Sequence, residues 1–246
     1  MSNQHSISIC IPVYNEEETI KQVIEEAFTV VNSLTSDYEV IVVDDGSTDQ
    51  TKAILGKAVT RYDKLIVLNH EKNLGKEPAF KTLFKHASKE YIFSIDADRQ
   101  FPMESLCQMY EKLKEGYDIV MGVKRNIKQV YNPYRLLISF FYNFSIHLLF
   151  SVRIRDAGGI KLSRSIICKM PIYSKSVFAD AERIIRAHYA GCSIGTVDID
   201  IRPRLYGKAK ASNLQAILAS IKDLLKIFIM KKKVVNECKS LTLSKE

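Results

Sequence analysis

Two carboxylates one residue apart, Asp96 and Asp98, are the side chains whose type and spacing speak most directly of chemistry. They follow an apolar run, 91–95, that reads as a buried strand. Alternate side chains at a strand end point the same way. The pair can therefore share a hard divalent cation while Ala97 turns aside. Mg²⁺ or Mn²⁺ prefers oxygen ligands and keeps positions open for substrate phosphates. Gln100 can add a carbonyl oxygen. Asp44-Asp45-Gly46-Ser47 follows a second apolar run, 38–43. There a carboxylate suits the ribose or base of a nucleotide, and the same residues suit a turn with a helix cap. A third polar cluster, 14–16, follows the first apolar run, 6–11. The chain has no GxGxxG, which disfavours an ordinary dinucleotide site, and no GxxxxGK[ST], which excludes a P-loop.

The elements that must position these clusters alternate. Strand-like runs at 6–11, 38–43, 64–68, 91–95 and 117–123 are separated by helical stripes at 16–31, 48–62, 76–88 and 102–115. Ser47 or Asp49 suits the cap of the second helix, and Pro78 suits the first turn of the third. This order predicts an α/β fold: right-handed βαβ units forming a mostly parallel sheet with helices on both faces. Ligands of such sheets sit beyond the carboxyl ends of the strands, and all three polar clusters lie there.

The second half differs. Residues 134–152 form a long apolar helix rich in phenylalanine. A glycine-containing turn and short strand span 156–164, a helix 178–189 and a strand 194–201. A basic loop follows at 202–210, and an amphipathic helix, 214–230, runs into Lys231-Lys232-Lys233. The last dozen residues read as a loose tail. The organisation expected is a catalytic domain over 1–212, including the apolar helix, then a basic amphipathic helix over 213–233 and a tail over 234–246.

Of 246 residues, 36 are basic and 28 acidic. Residues 1–100 carry a net charge of −5 and residues 101–246 one of +13, so the C-terminal half favours an anionic partner. Cys10, Cys107, Cys168, Cys192 and Cys238 are scattered and form no CxxC. That suits reduced cytosolic thiols and disfavours zinc. No 18-residue apolar run suggests a spanning helix, and the polar N-terminus does not read as a signal peptide. Asn143 and His147 within the apolar helix favour an interfacial position over a spanning one. With the basic helix at 214–230, this predicts a peripheral location on an anionic membrane surface, facing the cytosol.

Four segments in order, Ile11-Pro12-Val13-Tyr14-Asn15-Glu16, Val42-Val43-Asp44-Asp45-Gly46-Ser47-Thr48-Asp49, Asn73-Leu74-Gly75-Lys76 and Asp96-Ala97-Asp98-Arg99-Gln100, resemble the signature of family 2 inverting glycosyltransferases with the GT-A (Rossmann-like) fold. Arg155-Asp156-Ala157-Gly158-Gly159-Ile160-Lys161, Asp180-Ala181-Glu182 and Arg204-Leu205-Tyr206-Gly207-Lys208-Ala209-Lys210 resemble its polyprenyl-phosphate branch, the one that holds the dolichol-phosphate mannosyltransferases. The likeness covers about residues 6–212. It implies a nucleotide-sugar donor and a polyprenyl (dolichyl or undecaprenyl) phosphate acceptor. By position, Pro12, Tyr14, Glu16, Val43 and Asp45 would hold the nucleoside, with Ala97 lining the donor site. Asp96, Asp98 and Gln100 would hold the metal. Lys124 falls where an arginine is usual, and Arg204 and Lys210 would meet donor or acceptor phosphates. Asp98, Arg204 and Lys210 would thus carry the catalysis. Arg135 is a candidate for the acceptor phosphate. The chain departs from the pattern at Lys124, at Arg99 inside the metal motif, at Glu77-Pro78 after the glycine, and at Gly159-Ile160.

Charge then suggests a mechanism. A cation on the donor diphosphate stabilises the leaving nucleoside diphosphate, and Arg and Lys neutralise charge that grows in the transition state. A phosphate monoester has a second pKa of about 6 and is a ready nucleophile at neutral pH. A hydroxyl acceptor, in a saccharide or protein, would instead need a base, for which Asp180 or Glu182 is placed. Acidic residues also favour helix N-termini on structural grounds. A silent nucleic-acid-binding module would account for the basic half, but the carboxylate loops would repel a polyanion, so no nucleic-acid partner is expected. A processive polysaccharide synthase is disfavoured by the absence of tryptophan.

Overall fold

The computed structural model describes residues 5–131, 133–202 and 214–240. Its strands are β1 (Ile7–Val13), β2 (Tyr38–Asp44), β3 (Leu65–Asn69), β4 (Tyr91–Ser94), β5 (Ile119–Lys124), β6 (Lys161–Arg164) and β7 (Ile194–Ile199). Its helices are α1 (Ile20–Leu34), α2 (Thr51–Val59), α3 (Lys76–His86), α4 (Ser105–Leu113), α5 (Ile127–Val130), α6 (Pro133–Phe150), α7 (Ser165–Cys168), α8 (Ala179–Tyr189), α9 (Leu214–Ile229) and α10 (Lys231–Ser240). The strands form one sheet in the order β3-β2-β1-β4-β6-β5-β7. β6 runs antiparallel to both β4 and β5, and every other pairing is parallel. The alternating pattern of the first half thus builds the expected parallel sheet. β6 enters it as a reversed insertion that brings the 155–161 segment beside the end of β4.

Side-chain alternation assigns the two faces. Ile9, Ile11, Val40, Val42, Phe93 and Leu162 pack on α1, α2 and α4 through Ile24, Leu55, Leu106 and Met109. On the opposite face Cys10, Ile41, Val43 and Ile92 pack with Phe80, Leu83 and Phe84 of α3. Further along that face Ile119 and Met121 belong to a separate cluster with Ile146 and Phe150 of α6, Ile184 and Ile185 of α8, and buried residues of α9 and α10. Between the α3 and α8 clusters lie Ser94, Lys161, Ser163, Asp180 and Arg183, a seam of charged and small polar side chains that adjoins the site described below.

Two expectations are corrected. Residues 234–240 are not a loose tail but the body of α10, with Val234 and Cys238 fully buried. Lys231–Lys233 accordingly open a helix against α8 rather than ending one in solvent. Its anchor is electrostatic: Glu237 accepts hydrogen bonds from the Tyr173 hydroxyl at 2.5 Å and from Arg186 Nη1 at 3.0 Å. Residues 241–246 lie outside the described residues. The second helix starts at Thr51, later than its pattern suggests. Asp49 accepts from the Thr51 and Glu17 backbone N–H groups and so helps bind the β1 and β2 loops together.

Among the described residues no helix is long and apolar enough to cross a membrane. The apolar stripes of α6 and α9 nevertheless face outward. Phe140, Phe141, Phe144 and Leu148 on α6 and Leu218, Ile221, Leu225 and Ile229 on α9 are exposed, Leu148 to 68% and Ile229 to 82%. The two helices touch, which makes these stripes neighbours.

Candidate active site

The loops after β1, β2 and β4 converge at the carboxyl edge of the sheet. The Asp45 N–H donates to the Val13 carbonyl (2.8 Å), and the Ile95 N–H to the Cys10 carbonyl (3.2 Å). Asn15, in the left-handed region with φ 55°, donates its N–H to Ser47 Oγ and accepts the Thr48 N–H on its side chain. Glu16 accepts the Thr19 hydroxyl at 2.9 Å. Pro12 pairs in register with Val43. Val43 is fully buried in the α3 cluster, whereas Pro12, Tyr14 and Glu16 are half-buried on the rim.

Asp45 faces inward. Its side chain is 5% exposed, and both of its oxygens are engaged. Leu74 N–H (3.0 Å) and His70 Nδ1 (2.7 Å) meet Oδ1, and Gly75 N–H meets Oδ2 at 2.8 Å. With three donors on about four acceptor sites, this carboxylate keeps one lone pair, on Oδ2, for a further donor. The visible role of Asp45 is to fasten the 70–75 loop, where Gly75 takes φ +96° immediately before α3. That fixes the first helical residue, Lys76, whose Nζ lies 2.9 Å from Asp96 Oδ2. His70, between Asp45 and Thr82, is part of the support for this loop.

The cleft beyond β4 is lined by Lys76, Asp96, Phe101, Gly158, Gly159, Lys161 and Asp180, among others. The 155–161 segment enters because Gly159 sits directly against β5: a Cβ built on it would lie 2.2 Å from the Gly122 carbonyl oxygen. Lys161 Nζ donates to the Gly159 carbonyl (2.9 Å) and lies 3.4 Å from Asp180 Oδ1. Lys124 Nζ is 2.6 Å from Asp156 Oδ2, in a largely buried pair that ties β5 to the same segment. Lys76, Asp96, Lys161 and Asp180 therefore present alternating charges around one opening. Desolvation opposes the charge on Lys76, but Asp96, Asp180 and Asp98 outweigh it and hold the ammonium well above its ordinary pKa. Burial likewise works against the Asp180 carboxylate, yet Lys161, Lys76 and Arg183 bring its pKa below the usual range. Both groups are charged at neutral pH.

Asp98 accepts the Gln100 N–H at 3.1 Å across Arg99, whose φ is 56°. The Gln100 carbonyl accepts the Arg202 N–H, and Ala97 is buried. Arg99 turns away from the motif to pair with Glu26 of α1 at 2.6 Å, so this departure leaves Asp96 facing the cleft. Asp96 and Asp98 supply hard oxygen donors of the kind Mg²⁺ and Mn²⁺ take. Among the described residues no group of three or more His, Cys, Asp or Glu gathers at one point. An ion here would complete its shell from ligand phosphates and water, the usual condition of Mg²⁺ at phosphate sites.

The expectation for Glu182 is corrected. It is fully buried and accepts hydrogen bonds from Tyr173 N–H, from Ser174 N–H and Oγ, and from Arg186 Nε. It organises the start of α8 and does not face the cleft. Asp180, two residues earlier on the same helix and so about 200° round it, does. Arg135 lies at the α5–α6 corner, its guanidinium 3.6 Å from the Tyr131 ring centroid, and is not among the cleft-lining residues. Arg204 and Lys210 lie outside the described residues. Composition and spacing gave no role to Lys76, Asp156 and Lys161. Their signal was present only as residues inside the ordered motifs.

A parallel sheet with one reversed strand, polar loops at its carboxyl edge and a D-x-D turn beside a diglycine segment define the GT-A class of α/β fold. The family described as Glycosyl transferase family 2 matches residues 8–180 of this chain, and the chain belongs to that family. Among curated proteins it is 37% identical over 125 residues to an undecaprenyl-phosphate 4-deoxy-4-formamido-L-arabinose transferase of Enterobacter sp. (strain 638), covering 50% of this chain and 38% of that protein. It is 35% identical over 121 residues to the protein of that name from Salmonella choleraesuis (strain SC-B67), covering 49% and 37%. The chain thus matches well under half the length of these relatives. Among solved structures, Mycobacterium tuberculosis glucosyl-3-phosphoglycerate synthase in complex with UDP superposes with a TM-score of 0.72 at 18% identity, over 91% of this chain and 80% of that one. A structure of that synthase with Mn²⁺, UDP and phosphoglyceric acid gives 0.67 over 96% and 79%. At this identity the likeness concerns the fold.

Proposed function

We propose that the protein transfers a sugar, with inversion, from a nucleotide-diphosphate donor to a polyprenyl phosphate, assisted by a divalent metal. The observation that carries this reading is the convergence of Asp96 with Lys76, Lys161 and Asp180 on one cleft at the carboxyl edge of the sheet, with Asp98 near enough to act on the Lys76 charge. The similarity to undecaprenyl-phosphate transferases supports the lipid-phosphate acceptor. A divalent ion held by Asp96 and Asp98 would neutralise the donor diphosphate and stabilise the departing nucleoside diphosphate. Pro12, Tyr14 and Glu16, on the rim of the β1 loop, border the nucleoside. Lys76 and Lys161 supply fixed positive charge where charge builds on the leaving group, and being preorganised they need no rearrangement as it builds. A phosphate acceptor brings its own nucleophilic oxygen. A hydroxyl acceptor would need a base, and Asp180, the cleft aspartate not assigned to the metal, is held charged with a lowered pKa, which makes it a weak one.

A lipid acceptor requires a surface, and the exposed stripes of α6 and α9 suit one. Residues 214–240 add six lysines and two acids, a net charge of +4 beside the apolar face. Apolar burial and basic attraction together bind amphipathic helices to anionic lipid. We place the enzyme, on this reading, at the cytosolic face of a membrane.

The test is a thermal-shift panel of UDP-, GDP- and dTDP-sugars with and without Mn²⁺. A ligand at a hundred times its Kd stabilises the native state by about 2.7 kcal/mol. One donor class should give such a shift only with metal, and Asp98→Ala should remove it while leaving the unliganded midpoint unchanged. Donor affinity that survives in Asp98→Ala overturns the metal assignment. Flotation with anionic but not neutral liposomes, weakened by salt, tests the surface.

A further inference from the structure

Helices α3 and α8 meet beneath the cleft through an ion pair that the proposed chemistry does not use. Arg183 Nη1 lies 3.0 Å from Glu77 Oε2 and Nη2 2.5 Å from Glu77 Oε1, a two-point fork between side chains only 9% and 14% exposed. The pair joins residues 106 positions apart in sequence. Each partner is the near neighbour of a cleft residue. Lys76, which precedes Glu77, contacts Asp96, and Asp180, one turn before Arg183 on α8, contacts Lys161. Glu77 is also one of the positions at which the sequence departs from the glycosyltransferase pattern it resembles.

Stability alone is a poor account of this pair. Two charges taken out of water recover their desolvation only with full hydrogen bonding, and apolar replacements of similar volume are often neutral or stabilising. Here the compensation is incomplete, because Arg183 Nε is buried without a partner. The fork does supply geometry: two parallel hydrogen bonds fix both separation and rotation between the helices. We infer that Glu77 and Arg183 form a positioning pair that locks α3 against α8 and so sets Lys76 and Asp180 on the two sides of the donor cleft. The inference rests on the proposed donor site, and the pair itself touches no substrate.

The test compares wild type with the double variant Glu77→Met, Arg183→Met, which fills the same space without charge, and with Arg183→Lys, which keeps the charge but loses the planar fork. The readouts are Kd for the nucleoside diphosphate with Mn²⁺, kcat and KM for transfer, and the thermal midpoint. The double variant is expected to melt at or above the wild-type temperature and, with Lys76 displaced, to bind the nucleoside diphosphate with Mn²⁺ more weakly. Its kcat should fall by about a hundredfold, the scale of a 1 Å misplacement of reacting groups. Arg183→Lys should recover part of that loss. A folded double variant with wild-type kcat overturns the inference. Should the double variant not fold, a wild-type kcat in Arg183→Lys overturns it equally. Absence of nucleotide binding in wild type would count against the proposed function instead, and is measured first.

Discussion

Replacing Gly159 by alanine is the sharpest test of how the cleft is built. A Cβ at this position would lie 2.2 Å from the Gly122 carbonyl oxygen and 3.4 Å from Asp156 Oδ2. Ordinary carbon–oxygen contact needs about 1 Å more, and a packed interior does not give that without moving backbone. The obstacle is main chain on β5, so no rotamer change relieves it. The shift would strain the Gly122 N–H to Ile160 carbonyl bond, now 2.9 Å, worth about 0.5–1.5 kcal/mol net. Overpacking adds about 1–3 kcal/mol. Together the expected destabilisation is about 1.5–4.5 kcal/mol, which for a chain of this size lowers the midpoint by roughly 3–18 °C. The neighbouring glycine is the control. A Cβ on Gly158 meets nothing nearer than Asp156 Oδ1 at 4.0 Å, so Gly158→Ala should stay within about 0.5 kcal/mol of wild type. Urea unfolding of the two variants side by side measures this. Equal stability of Gly159→Ala and Gly158→Ala would refute the close approach of the 155–161 segment to β5, and with it the placement of Lys161 in the cleft.

Asp45→Asn should destabilise the protein by about 1–3 kcal/mol, because an amide cannot accept from Leu74, Gly75 and His70 at once and leaves a buried donor unmet. Chemical denaturation reads the loss, and a neutral result would mean that the 70–75 loop is held by something else. The Tyr173 hydroxyl, and after it Arg186, hold the Glu237 carboxyl below the ordinary glutamate pKa of 4.5, although desolvation works the other way. A depressed carboxylate stabilises the fold above its unfolded pKa and loses that contribution as pH falls through the folded one. Wild type should therefore be more stable than Glu237→Gln at pH 7, with the difference shrinking below about pH 4.5; a difference that grows toward acid would show the anchor of α10 to be wrongly assigned. Burial pushes the Cys168 thiol up to about 11 and that of Cys192 to about 12. Neither should be alkylated in the native protein at pH 7, and mass spectrometry showing rapid labelling there would contradict the packing around α7 and α8.

What the sequence made legible follows from the range over which its signals act. Hydrophobic period, strand-ending carboxylates and ordered motifs are local, and the parallel sheet with Asp96 and Asp98 at its edge follows from them. Residues 234–240 failed that test because their helix carries mean polarity and only two buried apolar side chains. It is held by Glu237 reaching Arg186 fifty-one positions away, a contact that no window along the chain contains. The acidic pair on α8 shows the same limit in miniature. Asp180 and Glu182 share a helix start and a motif, yet they point to different surroundings, one to Lys161 and the cleft, the other to the Tyr173–Ser174 backbone. Spacing of two along a helix turns a side chain by about 200°, so one motif can hold both a site residue and a structural one. Glu77 and Arg99 carry the point further. Both look like defects in the family pattern, and each is answered by a partner from a distant element, Arg183 and Glu26. A departure that brings its own counter-charge is a substitution in the scaffold, and it leaves the carboxylates and ammonium groups of the cleft free to set the chemistry.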